Sequence, residues 1–209
     1  MHGARTHSSG EASKRKKPDG RLWRVMQDPQ NLSEGGFGQI TYPSASPFEI
    51  HHILCKMDEA VEHPVFGSLL VPEEPSDGAM PCVVAVHGSL NWRGHHHEHI
   101  VRWLDAGICV FRVHSFDSRS VYSVVEDQMQ VTHAMMLADC YQALRMLSTH
   151  PSIDESRIGI AGWSLGGTVA LYSAWEPIAE SLAPAGERFA AHLPFYPAAH
   201  MRTEVQRWS

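Results

Sequence analysis

The sequence predicts an α/β domain built on a largely parallel sheet, and three observations carry that prediction. Short apolar runs recur at Cys82–Val86, Ile108–Val113 (interrupted by Arg112) and Ile158–Ala161, as in strands covered on both faces. Between them lie longer segments whose apolar residues stand three or four apart, the period of a helix with one buried stripe. Finally, Gly162–Gly166 reads Gly-Trp-Ser-Leu-Gly where an apolar run ends and a helical pattern starts. Strand and helix in alternation bury their apolar faces as helices packed on both sides of a parallel sheet.

Taken in order, residues 1–21 are polar and Gly/Ser-rich and carry a net charge of +4, including the run Lys14–Lys17. They read as a disordered basic tail, with residues 22–209 forming the folded domain. The basic run is a solvated tail, an address or a phosphate-binding patch. Residues 21–46 read as irregular because of Gly35, Gly36 and several prolines. Phe48–Cys55 and Pro64–Val71 read as strands, and Pro72–Pro81 as a turn-rich link. After the strand Cys82–Val86, His96–Ala106 reads as a helix closed by Gly107 at a C-cap position. Ile108–Val113 is the next strand. Gln128–Leu147 places Val131, Met135, Ala138, Tyr141 and Leu144 on one helical stripe. Ile158–Ala161 leads into the Gly-rich turn, Gly167–Trp175 continues as a helix, and Phe189–Leu193 reads as a further strand.

Composition restricts the function classes. The 209 residues carry a formal charge of −6, so with the basic tail removed the body is −10. An acidic body argues against a nucleic-acid surface. No apolar run approaches the ~18 residues that span a bilayer, and residues 1–20 lack the apolar stretch of a secretory signal. The four cysteines fit neither a C-x-x-C metal pattern nor a disulfide framework. The expectation is a cytoplasmic protein, with no nucleic-acid or membrane partner and its oligomeric state open.

The motif Gly-Trp-Ser164-Leu-Gly matches the nucleophile elbow, in which a strained strand-to-helix turn lifts a serine hydroxyl into view and small residues on either side avoid collision. There the backbone N–H of Leu165 would point at a substrate oxyanion, aided by the helix N-terminus. An ordinary βα turn is the competing reading. The run Val83–Asn91 ends a strand in His87-Gly88, as oxyanion loops do, making the N–H of Ser89 the second donor, or that of Leu90 in its place. His87 precedes the serine in the chain, so it reads as structural rather than as a base.

Four segments extend these motifs: RVHSFDSRS (112–120), EDQMQVTHAMMLADCYQALRML (126–147), HPSIDESRIGIAGWSLGG (150–167) and FAAHLPFYP (189–197). In order and spacing the chain resembles the dienelactone hydrolase family of the α/β-hydrolase superfamily over roughly residues 48–200. The resemblance implies a three-layer sandwich on a mostly parallel eight-stranded sheet, with ester or lactone hydrolysis at a Ser or Cys nucleophile, the position held by Ser164. It implies a small-molecule ester or lactone as substrate and no cofactor. The family usually has Asp where His114 stands and Gly where Ser120 stands. Arg119 is a candidate to hold a substrate carboxylate, with a structural salt bridge as the alternative.

The triad order Ser, acid, His meets a difficulty after Ser164. No aspartate follows it; the later acids are Glu176, Glu180, Glu187 and Glu204, and the later histidines His192 and His200. His192 sits in a strand pattern and reads as buried. His200 lies just past a strand end and is the candidate substitute base. Against the family pattern the sequence reads as C-terminally incomplete, lacking the last two strands with the acid and histidine, and leaving the sixth strand as an open edge. Two expectations follow: a serine hydrolase acting through a Ser164 acyl-enzyme, or a truncated, inactive remnant or binding module. The cluster His95–His99 puts two histidines at i, i+4, a spacing able to hold zinc. The sequence offers no third ligand, so no metal is assigned, and a polar helix start is the alternative.

Overall fold

A computed structural model describes residues 30–74 and 78–199. The basic tail 1–21 and His200 lie outside the described residues. Among the described residues, six strands form one sheet: β1 (Gly38–Ser46), β2 (Val61–Leu70), β3 (Met80–Val86), β4 (Cys109–Val113), β5 (Ile153–Trp163) and β6 (His192–Phe195). Their order is β1-β2-β4-β3-β5-β6. β1, β2 and β4 pair antiparallel, while β4, β3, β5 and β6 run parallel. The parallel strands are the apolar runs of the sequence, as burial on both faces requires.

Five helices accompany the sheet: α1 (Ile50–Cys55), α2 (Gly94–Asp105), α3 (His133–Leu147), α4 (Leu165–Tyr172) and α5 (Glu176–Leu182). On one sheet face Val84, Val86, Phe111, Val113 and Ile160 join the main core with side chains of α3, α4 and α5. On the other, Ala85, Val110 and Trp163 pack with Ile100 of α2. Alternation along each strand thus divides the apolar residues between two helical layers. α3 is buried almost throughout, including Asp139, Gln142 and Arg145, because it lies between β1, the sheet and the later helices.

Three sequence expectations need correction. Phe48–Cys55 is no strand: Ile50, Ile53 and Leu54 stand at helical spacing, and α1 turns Ile53 into the core. Residues 38–46, read as irregular, form β1. It tolerates Pro43 because it is an edge strand, where a missing N–H costs little, and it buries Ile40, Tyr42 and Ser44 in alternation. The helix expected over Gln128–Leu147 begins only at His133, where Thr132 caps it by accepting the Met135 N–H. The preceding residues therefore form a loop that faces the candidate site.

Candidate active site

Ser164 sits between the last residue of β5 and the first of α4, with φ 54° and ψ −113°. That left-handed setting is unfavourable for a residue with a side chain. It is imposed by close backbone packing on either side. A Cβ on Gly162 would run into the carbonyl of Gly166, and one on Gly166 into those of Val86 and His87. The glycines of the motif thus let the turn close against β3. Ser164 N–H donates to Phe195 O (3.0 Å) and its carbonyl accepts from Thr168 N–H (2.9 Å). The side chain is exposed.

The second wall of the site is the turn that follows β3. Asn91 N–H donates to Gly88 O (3.0 Å), and His87 donates from Nδ1 to the same carbonyl (2.9 Å). That contact fixes the tautomer and leaves Nε2 buried without a partner among the described residues. Burial holds His87 neutral, its pKa lowered to about 4 against the favourable pull of the Gly88 carbonyl. The structural role expected for His87 matches these contacts. The Ser89 carbonyl accepts from Val124 N–H (3.0 Å) and Ser123 Oγ (3.2 Å).

These bonds orient the neighbouring N–H groups. A trans peptide sets N–H opposite C=O, so with the Gly88 carbonyl drawn into the turn, the Ser89 N–H faces away from it. The Ser164 carbonyl likewise points down α4, leaving the Leu165 N–H directed out of the helix start. Neither N–H donates a hydrogen bond among the described residues. Ser89, Ser164 and Leu165 line one cavity of about 400 Å³, together with Gln128, His133, Thr168 and Tyr172. A second cavity, of about 310 Å³, shares Ser89 and Ser164 with the first. A larger one of about 490 Å³, near Glu73 and Asp105, holds no nucleophile.

Asn91 ties this turn to the next loop. It adopts φ 64°, accepts the Trp92 N–H (2.8 Å) and donates to Asp117 Oδ1 (2.8 Å). Asp117 Oδ2 in turn meets His114 Nδ1 (3.1 Å), and His114 Nε2 meets Ser68 Oγ (3.1 Å). Burial lowers the His114 pKa, with the hydrogen bond to Asp117 opposing it.

Arg119 is not placed to hold a substrate carboxylate. Its guanidinium forks onto Asp139, with Nη1 to Oδ2 at 2.7 Å and Nη2 to Oδ1 at 3.0 Å, and the two side chains are 7% and 0% exposed. Ser44 Oγ adds a bond to Asp139 Oδ1 (2.6 Å). The alternative of a structural salt bridge is the one found, because the loop after β4 folds back over β1 and α3.

Among the described residues, three of the acids and histidines after Ser164 make contacts away from it. Glu176 pairs with Arg188 and Glu187 with Arg145. His192 reaches Ser173 Oγ (3.0 Å) and donates from Nδ1 to Ala170 O (3.2 Å), and burial lowers its pKa. The histidine cluster begins α2. His96 is buried and accepts the Arg93 N–H at Nδ1 (2.9 Å), its pKa lowered to about 4 by burial and then by His95. His99 packs on Trp103, Trp163 and Phe195. Among the described residues no three metal-ligating side chains converge.

Sequence reasoning missed His133, Gln128, Tyr172 and Tyr196 as cavity-lining residues. The available signal was Val125 and Met129, apolar residues off the helical stripe that remain exposed in the fold.

Over residues 116–200 the chain matches the model of the acetyl xylan esterase (AXE1) family. No curated protein matches it in sequence. Among solved structures, it is similar to Est1E from Butyrivibrio proteoclasticus with ferulic acid bound, at 19% identity and TM-score 0.50, covering 65% of this chain and 50% of that one. Apo esterase 2 from Thermogutta terrifontis gives 16% identity and TM-score 0.50, with 68% and 54% covered. A Klebsiella pneumoniae chain provisionally named a dienelactone hydrolase gives 17% and 0.49, with 82% and 65% covered. The chain thus spans between half and about two-thirds of the length of these structures. At these identities the similarity concerns the fold.

Proposed function

We propose that this chain, a dienelactone-hydrolase-like α/β-hydrolase, cleaves a carboxylic ester or lactone through an acyl-enzyme on Ser164. One observation supports the reading above all: an exposed serine in a strained turn shares a cavity with two unbonded N–H groups. Ser164 Oγ attacks the carbonyl carbon, and the oxygen, now negative, lies against the N–H groups of Ser89 and Leu165. The start of α4 adds a favourable field at the same place. Collapse expels the alcohol, and water then releases the acid from the serine.

The hydroxyl needs a base before it is a competent nucleophile. His200, which lies outside the described residues, is the candidate from chain order. His133 joins it because it lines the cavity beside Ser164. The oxyanion donors and binding alone supply roughly 10³–10⁴-fold over water when triad members are lost. A second reading, an inactive remnant or binding module, has its own support: Glu176, Glu187 and His192 make their contacts away from Ser164. Hydrolysis of 4-nitrophenyl acetate by the wild type, Ser164→Ala and His133→Ala separates the readings. Activity abolished in Ser164→Ala supports the enzyme; equal rates in wild type and Ser164→Ala support the remnant.

A further inference from the structure

The cavity of about 310 Å³ shares Ser89 and Ser164 with the first, but its walls differ. It is lined by Leu90, Val125, Trp163 and Tyr196, with Arg93 and His95 also in the wall. Leu90, Val125 and Tyr196 are 50%, 56% and 64% exposed, although large apolar side chains are ordinarily covered. They come from three separate segments: the turn after β3, the loop before α3 and the end of β6. Exposed apolar residues gathered from distant segments around a cavity mark a binding surface. Tyr196 is also held at φ 38°, which a bulky residue adopts only where its surroundings hold it. Its hydroxyl meets His95 Nε2 at 3.4 Å. Trp163 supplies a fixed wall, stacked on Phe195 at 5.3 Å and 8°.

The first cavity is mixed: Gln128, His133, Thr168 and Tyr172 stand among apolar surface, with Thr168 Oγ1 and the Tyr172 hydroxyl already donating to Ser164 O and Ala198 O. A carbonyl carbon at Ser164 therefore has an apolar cavity and a mixed one within reach. We propose that the apolar cavity is an acyl subsite for a carboxylic acid with an apolar chain or ring larger than acetyl. The mixed cavity then takes the alcohol, and the substrate class is an ester of such an acid. The assignment of halves rests on Ser164 being the nucleophile; the apolar subsite itself can be tested without turnover.

The test titrates acetate and hexanoate into the full chain, and into Ser164→Ala, following the assigned amide signals of Ser89, Val125 and Tyr196. Hexanoate is expected to bind at least about tenfold more tightly than acetate, since each buried CH₂ adds to affinity. Val125→Trp, which fills the cavity from an exposed position, is expected to remove that preference. Equal affinity for the two acids, or a preference untouched by Val125→Trp, overturns the subsite. Turnover of 4-nitrophenyl acetate and hexanoate is measured in parallel. Hexanoate preference in binding without Ser164-dependent turnover keeps the subsite and removes the hydrolase reading instead.

Discussion

Arg119 and Ser164 occupy two polar centres built by opposite rules. Around Arg119 the charges are buried and matched: burial works against the guanidinium, but Asp139 overrides it and holds the pKa above the ordinary value. Ser44 and the Ser115 carbonyl engage further lone pairs and donors. Around Ser164 the backbone is strained and two N–H groups carry no partner among the described residues. Buried polar groups are normally satisfied. A satisfied cluster therefore identifies a structural joint, here tying β1, α3 and the loop after β4 together, whereas N–H groups left free beside an exposed hydroxyl are what the proposed ester cleavage requires. The contrast separates two candidates that the sequence alone placed side by side.

The contrast is broken most directly at the joint. Arg119→Leu leaves the Asp139 carboxylate buried and unpaired, and the expected loss is about 3–5 kcal/mol in urea unfolding. Arg119→Leu combined with Asp139→Leu is expected to recover much of it, because the stranded charge is gone. A loss below about 1 kcal/mol in the single variant contradicts the structural role.

On the site side, stability should follow the histidine below the turn. An unfolded histidine has a pKa of about 6.5, whereas buried His87 is lowered to about 4. Between these values the unfolded chain binds the extra proton, so stability is full above pH ~6.5 and falls as the pH drops towards ~4. The loss from His87 is of the order of 3 kcal/mol. Unfolding free energies measured between pH 4 and 7 should show this slope added to that from His96, lowered to the same value, and His87→Gln should remove its own share and leave the rest. An unchanged slope would place the titration elsewhere.

Gly166→Ala tests the close packing of the elbow. Its Cβ meets backbone carbonyls that cannot swing away, and the expected cost is about 1–3 kcal/mol by thermal or urea unfolding. The smallest effect on stability is expected at Asn91. Asn91→Ala removes the bonds to Asp117 and Trp92 and places a Cβ-bearing residue without a local bond at positive φ, costing about 1–2 kcal/mol. Because the turn carries the Ser89 N–H, kcat for ester hydrolysis should fall with KM little changed. Asn91→Gly relieves the backbone but not the lost bonds, so partial rescue of stability without rescue of kcat sharpens the distinction.

The legible parts of this fold were those fixed by local pattern. β3, β4 and β5 are apolar runs whose burial on both faces follows from their composition, and the elbow announces itself because its glycines are a steric requirement of the turn. Less legible was β1, where Pro43 and two serines hide an alternation that only an edge position permits. α1 was misread because six residues hold too few turns to separate one period from another. The fate of Arg119 was not written in its neighbours: Asp139 lies 20 residues away and Ser44 comes from another strand. His133 and Tyr196 were missed for the same reason, since loops and strand ends gather at a cavity only once the sheet has formed.

Covalent labelling tests whether Ser164 is the nucleophile. The wild-type chain is treated with a fluorophosphonate probe beside Ser164→Ala, both verified as folded, and the modified peptide is identified by mass. A phosphonyl adduct is expected on Ser164 in the wild type and none in the variant. Folded wild-type chain that takes up no probe, or takes it up equally in Ser164→Ala, would contradict that role.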